Sequence, residues 1–283
     1  MINFLKYYKN NYKGLTKGEK KILEFMGKFP QKVAILSALE LGKEIGVSDA
    51  TIIRTSRSIG FKGFSDLKSY VIKELSNAKT PSKRIKENWY NFNTSHDIVD
   101  KMVKSDLKGL EEFLREIDPE ELDRAVSYIE KNKKVYVMGI GASRAVAEFL
   151  SWHMKRMMID IVLLQGGGVG LYENLTHILE DDVLLIITFP GTLIDELKAA
   201  EIAKSKKAKI VTVTGSLFSE INLISDVVFK VNGENESFFN SYVVVMEFCN
   251  ILLMALLEQN KEKIYKELES KRVEMDFLYL NTK

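Results

Sequence analysis

KVYVMGIGASRAVAEFLSWHMKRM, residues 134–157, decides the fold of this chain. The apolar run Val135–Met138 leads into Gly139-Ile140-Gly141-Ala142-Ser143, and a helical pattern follows. Short runs rich in β-branched residues recur downstream at Ile161–Leu164, Val183–Ile187, Ile210–Val213 and Val227–Val231, alternating with helical segments. That alternation predicts βαβ units and a parallel sheet. Near-continuous apolar strands fit a sheet buried on both faces. The glycine turn is not a dinucleotide fingerprint, because Arg144 stands near the third glycine position and Leu163-Leu164-Gln165 lacks the acidic residue at the next strand end. It remains a turn that lets the backbone approach an anion, with the Ser143 hydroxyl at the helix start as a donor.

Working outward, the chain has 283 residues, 46% hydrophobic and 28% charged, an ordinary balance for one large domain or two smaller ones. No uninterrupted apolar run reaches the ~18 residues that span a bilayer. The start MINFLKYYKN lacks the apolar stretch of a signal peptide, which makes a cytoplasmic protein the expectation. The one cysteine, Cys249, excludes an intramolecular disulfide, and with His96, His153 and His177 far apart no metal-ligand spacing exists. Neither a metal nor a cofactor is expected. Residues 1–76 hold 14 Lys and Arg against 7 Asp and Glu, while the remainder is net acidic. A basic first part points to a polyanionic partner.

From Leu15 to Leu75 the periodicity is helical, broken at Phe29-Pro30, Gly46 and Gly60. Leu39 to Ile45 reads as a short helix with its apolar residues inward, ended by Gly46. Ser48 is the N-cap of the next helix, with Asp49 in its first turn. That helix buries Ile52 and Ile59 and presents Ala50, Thr51, Arg54, Thr55, Arg57 and Ser58. Two helices joined by a glycine turn, the second with a short polar and basic face, form a helix-turn-helix. Small or polar residues at its start enter the major groove, and an arginine one turn in grips guanine or a phosphate. Thr51 and Arg54, with Asp49 and Ala50, are the base readers in this reading. Arg57 and Lys62, the latter in the Gly60-Phe61-Lys62-Gly63-Phe64 turn, hold phosphates.

The stretch LTKGEKKILEFMGKFPQKVAILSALELGKEIGVSDATIIRTSRSIGFKGFSDLK resembles the N-terminal DNA-binding domain of RpiR-type transcriptional regulators, above all in GVSDATIIR followed by IGFKGFSDLK. The resemblance implies a second, SIS (sugar isomerase) domain of doubly wound, flavodoxin-like fold that senses a phosphorylated sugar. The fold class expected is therefore α/β with a separate all-α N-terminal domain. The division is a helix-turn-helix domain at 1–76, a linker at 77–97, and a SIS-like ligand-binding and dimerisation domain at 98–283. SIS domains hold phosphate with a Gly-x-Gly-x-Ser turn, which Gly139, Gly141 and Ser143 match. Their second loop reads Ser-x-Ser-Gly-x-Thr, and here the run is Thr188-Phe189-Pro190-Gly191-Thr192-Leu193. Thr188 and Gly191 fit, and Thr192 offers a hydroxyl one residue early. Pro190 removes both an O–H and an N–H. The loop Thr214-Gly215-Ser216 to Ser219 supplies further hydroxyls.

These readings converge on a regulator of carbohydrate genes, not an enzyme, with operator DNA and a sugar-phosphate effector as partners and two or four copies per assembly. The alternative is a sugar-phosphate isomerase with an accessory helical domain. Such an isomerase needs a positioned acid and base, and no Glu–His pair assembles near the loop ends in this sequence.

Overall fold

The computed structural model describes residues 14–77, 94–164, 166–189, 191–231 and 239–276. Most of the stretch read as a linker, together with Gln165 and Pro190, lies outside the described residues.

Local sequence sets the helix boundaries of the first part. Thr16 opens α1 (Lys17–Lys28) with a capping box, its Oγ1 accepting from Glu19 N–H at 3.3 Å while Glu19 Oε2 accepts from Thr16 N–H at 2.9 Å. Pro30 sits at the first position of α2 (Pro30–Ile35), where its missing N–H costs nothing. Ser37 and Glu40 repeat the box for α3 (Ala38–Ile45), which Gly46 ends at φ +79°. Ser48 Oγ accepts from Thr51 N–H at 3.2 Å to start α4 (Asp49–Ser58), and α5 covers Phe64–Asn77. Ile22, Leu23, Met26, Val33, Leu41, Ile52, Ile59, Leu67 and Val71 form the core of this unit. Leu39 corrects the reading of α3 as apolar-inward: it is exposed. Two residues along a helix turn about 200°, so Leu39 and buried Leu41 lie on opposite faces.

Helix α6 (Ser95–Glu116), capped by Thr94, begins inside the stretch 77–97. Helix α7 (Pro119–Lys131) starts at the Asp-Pro-Glu-Glu sequence, with Asp118 accepting from Glu120 N–H at 3.0 Å. Strands β1 (Lys134–Gly139), β2 (Ile161–Leu164), β3 (Asp182–Thr188), β4 (Lys209–Thr214) and β5 (Val227–Lys230) then form one parallel sheet in the order β2-β1-β3-β4-β5. Helices α8 (Ser143–Arg156), α9 (Val169–Thr176), α10 (Ile194–Ser205) and α11 (Glu220–Ile224) are the connections, and α12 (Val243–Asp276) closes the described chain. Alternate strand residues serve two cores. Val135, Val137, Val183 and Leu185 pack under α7, α8 and α12, whereas Tyr136, Met138, Leu184 and Ile186 pack under α9 and α10.

Helix α12 is long and apolar enough over Val243–Glu262 to cross a membrane by length and composition. Its Val244, Val245, Phe248, Cys249, Leu252 and Leu256 are buried in the first of these cores. Burial lifts the Cys249 thiol to about 12, so the cysteine acts as a small hydrophobe.

Candidate functional site

In an open parallel sheet, ligands sit beyond the carboxyl ends of the strands where the strand order reverses. The order found here places that point between β1 and β3. Gly139 ends β1 with Gly141 and Ser143 after it, and Thr188 ends β3 with Gly191 and Thr192 after it, so the topology brings the six expected ligand residues to the same end of two adjacent strands.

Gly139 is glycine for a steric reason. A Cβ there would collide with the Ser143 carbonyl oxygen and stand 2.7 Å from its carbon, because the start of α8 lies directly on the strand end. Gly141 has φ +63°, a left-handed conformation that glycine adopts without strain. Ser143 departs from the reading of its hydroxyl as a free donor. Its side chain is buried, and Oγ donates to the Phe189 carbonyl oxygen at 2.9 Å, tying the first turn to the loop after β3. No side chain caps α8; Arg144 N–H and Ala145 N–H donate instead to the Gly141 and Ala142 carbonyl oxygens, each at 3.2 Å.

Thr188 is likewise buried, and among the described residues its hydroxyl has no hydrogen-bond partner within ordinary distance and angle. It stands near Glu196, a residue that sequence reading missed. The Glu196 carboxylate is buried beneath the loop and accepts from Leu193 N–H at 2.8 Å. Burial pushes its pKa up, while Leu193 N–H, the Thr188 hydroxyl and Ile140 N–H pull it back. Glu196 thus links the two turns through backbone donors. Its spacing three residues after Leu193, the position of a capping-box glutamate, was the one available sign. Asp195 accepts from the Tyr172 hydroxyl at 3.1 Å, and a Cβ on Gly167 would collide with Asp195 Oδ2. Gly167 therefore packs against the start of α10. Thr192 Oγ1 lies 2.8 Å from Ser219 Oγ, which joins the loop after β3 to the loop after β4.

At the other end of the chain, the helix-turn-helix leaves Asp49, Ala50, Arg54 and Arg57 exposed on α4, and Lys62 exposed in the following turn. Ser48 and Thr51 are partly engaged with each other, their hydroxyls 2.8 Å apart at the cap. Arg57 Nε donates to the Lys62 carbonyl oxygen at 3.3 Å, so the two expected phosphate holders are neighbours. Thr55 is a correction: it is 1% exposed and faces the core with Ile52, not the groove-facing side. Residues three apart on a helix share a face, which places Thr55 with Ile52 and Arg54 away from both. His153 is half-buried on α8, with ring centroids 4.5 Å from Phe149 and 4.8 Å from Trp152. His177 is exposed beyond α9.

Residues 2–78 match the model of the helix-turn-helix domain of the rpiR family, and residues 128–255 match the SIS domain. An HTH-type transcriptional regulator of Clostridium perfringens is 28% identical over 260 residues, covering 92% of this chain and 91% of that one. The RpiR regulator of Escherichia coli is 25% identical over 227 residues, covering 80% and 75%. Among solved structures, the NanR protein of Vibrio vulnificus complexed with ManNAc-6P aligns with a TM-score of 0.59 over 99% of this chain and 100% of that one. At 19% identity that likeness is one of fold. The sugar isomerase domain of an RpiR transcription factor from Sphaerobacter thermophilus aligns with a TM-score of 0.58 at 25% identity, over 61% of this chain and 96% of that one.

Proposed function

The chain belongs to the RpiR family of helix-turn-helix transcriptional regulators with a SIS domain, and from that premise we propose that it controls carbohydrate genes in the cytoplasm in response to a sugar-derived effector. The division taken is 1–76 for DNA, 77–97 as connection and 98–283 for effector and assembly. The observation that carries the reading is α4, a capped helix anchored by buried Ile52 whose outer side offers Arg54 and Arg57. Arg54, with Asp49, Ala50 and Thr51 around it, reads base edges in the major groove. Arg57 and Lys62, which adjoin one another, grip phosphates at its edge.

Replacing Arg54 by alanine is expected to cost about 1–3 kcal/mol on a specific duplex and to relax base preference at one position. A gel-shift titration at fixed salt, on duplexes selected from a randomised pool by the full-length chain, measures it. Unchanged affinity would remove α4 from the groove.

The effector reading rests on the crevice between β1 and β3. A phosphate there takes backbone amides of the turn from Gly139 to Ser143, with Gly139 and Gly141 allowing close approach and Gly191 and Thr192 on the opposite turn, above the buried Thr188. The NanR protein complexed with ManNAc-6P, a relative in fold, supports a phosphorylated sugar as the class. Incubation of the protein with sugar phosphates tests the isomerase alternative, since turnover would make the chain an enzyme.

Two copies act together, because one helix-turn-helix covers too little DNA for tight specific binding. What supports the pairing surface is an apolar stripe on α6, where Val99, Val103, Leu107 and Leu114 are all exposed at helical spacing. Beside it a groove of 480 Å³ is lined by Leu110, Tyr242, Val243, Met246, Glu247 and Asn250. Exchange of Val103 and Leu107 for lysine is expected to convert a dimer to monomers in sedimentation equilibrium and to weaken operator binding. A dimer that survives both charges is held elsewhere.

A further inference from the structure

The turn between β4 and α11 belongs to both halves of the molecule. Toward the sheet, Ser219 Oγ meets Thr192 Oγ1 at the edge of the crevice. Ser216 N–H donates to Thr214 Oγ1 at 3.2 Å, and Asn222 Nδ2 donates to the Ser216 carbonyl oxygen at 2.7 Å. Toward the helical domain, Leu217 and Phe218 are buried in the same core as Ile22, Met26 and Leu67. The Phe218 ring centroid lies 5.9 Å from that of Tyr70 on α5. One turn further, Leu223 packs so tightly on α1 that a Cβ on Gly27 would stand 2.5 Å from its Cδ1. Lys28 Nζ pairs with Glu220 at 3.2 Å.

The two sides meet within a few residues: Ser219 bonds to the loop after β3, Ser216 and Asn222 tie the turn together, and Leu217, Phe218 and Leu223 pack on the helical domain. A turn this short moves as a unit, since close-packed cores respond to displacement by shifting between arrangements and not by yielding gradually. Asn222 adds a sign of a second arrangement. It is fully buried, and among the described residues its Oδ1 has no hydrogen-bond partner.

We propose that the segment from Thr214 to Leu223 is the coupler between effector and DNA: a ligand hydroxyl in the crevice takes the place of Ser219 as the partner of Thr192, the turn shifts, and Leu217, Phe218 and Leu223 carry the shift into the helix-turn-helix. The proposal rests on the reading of the crevice as the effector site and of α4 as the DNA reader. It differs from coupling through the connection between the domains, because the route is a packed contact between the sheet and α1 and α5. It also requires that perturbing either side be felt on the other without ligand or DNA.

Amide hydrogen exchange on the full-length chain, free of both, tests this. Gly27→Ala favours α1 as a helix, since alanine is the better helix former, yet wedges Leu223 away. Exchange at residues 192–197 is then expected to rise about threefold or more, with β1 residues 135–138 unchanged as an internal reference. Ser219→Ala leaves the helical domain untouched and removes only the bond to Thr192. Exchange in α1 and α5 is expected to rise by about the same factor. If both substitutions leave the opposite side at the wild-type rate, the coupler is overturned. Wild-type protein that selects no duplex from a randomised pool would overturn the regulator reading instead, and the exchange result would not depend on it.

Discussion

Replacing Lys230 by methionine is expected to destabilise the folded chain by about 3–5 kcal/mol, the cost of leaving one partner of a buried ion pair uncompensated. Lys230 Nζ on β5 lies 2.9 Å from Glu74 Oε1 on α5, with side-chain exposures of 18% and 4%. Glu116 Oε2, at the end of α6, stands 3.9 Å from Lys230 Nζ. The pair joins the helical domain to the sheet, so its loss leaves the Glu74 carboxylate buried at the domain contact. Burial alone would depress the Lys230 pKa, but Glu74, Tyr70 and Glu116 more than offset it and raise the value above the ordinary 10.5. Burial, reinforced by Glu74, pushes the Tyr70 hydroxyl up to about 12.

The sign of the pH dependence follows. The Lys230 contribution is intact below its unfolded pKa and is lost as pH rises through the higher folded value. Tyr70 acts in the same direction, because the unfolded chain releases that proton first. Stability is therefore expected to hold from neutral pH to about 9.5 and to fall between about 10 and 12. Urea denaturation across that range measures both effects. The double substitution Lys230→Met with Glu74→Leu is expected to recover most of the loss, since an apolar pair of similar volume needs no compensation. A single-variant cost below about 1 kcal/mol would mean that water reaches the pair.

The second large effect is expected at Gly139. Alanine there drives a methyl group into the backbone of Ser143, and neither the strand end nor the start of α8 is a flexible group that can swing aside. A cost of about 1–3 kcal/mol follows from overpacking, together with displacement of the turn from the crevice. Gly141→Ala supplies the contrast. It meets nothing within 4 Å, so its cost is the strain of φ +63° alone, about 1 kcal/mol. Equal urea midpoints for the two variants would show that the contact between β1 and α8 yields. Because Ser143 Oγ ties the same turn to Phe189, Gly139→Ala is also expected to loosen the loop after β3.

The helix-turn-helix was legible for local reasons. The caps at Ser37 and Ser48, the left-handed Gly46 and the apolar spacing of Leu41, Ile52 and Ile59 each act within a few residues of themselves. The five strands were legible because burial on both faces requires apolar residues at both parities. Thr55 was misplaced because a threonine satisfies either face of a helix, and only the packing against the core chose between them. Glu196 escaped because a carboxylate in the first turn of a helix is ordinary, and its contact with Ile140 N–H comes from the turn after a different strand.

By itself, the sequence determined the classes of structure and their order: a capped helical unit with a basic outer helix, then alternating strands and helices with glycine turns at the strand ends. Hydrophobic period, cap chemistry and glycine conformation are properties of short segments, and they suffice for that much. The tertiary structure alone decided which hydroxyls are free. Ser143 and Thr188 look like ligand donors in the chain, but the fold buries both and commits Ser143 to Phe189. It also decided that Leu217 and Phe218, carried on a sheet loop, complete the core of the DNA-binding unit. Those outcomes depend on contacts between residues dozens to hundreds of positions apart, where chain spacing carries no information about distance.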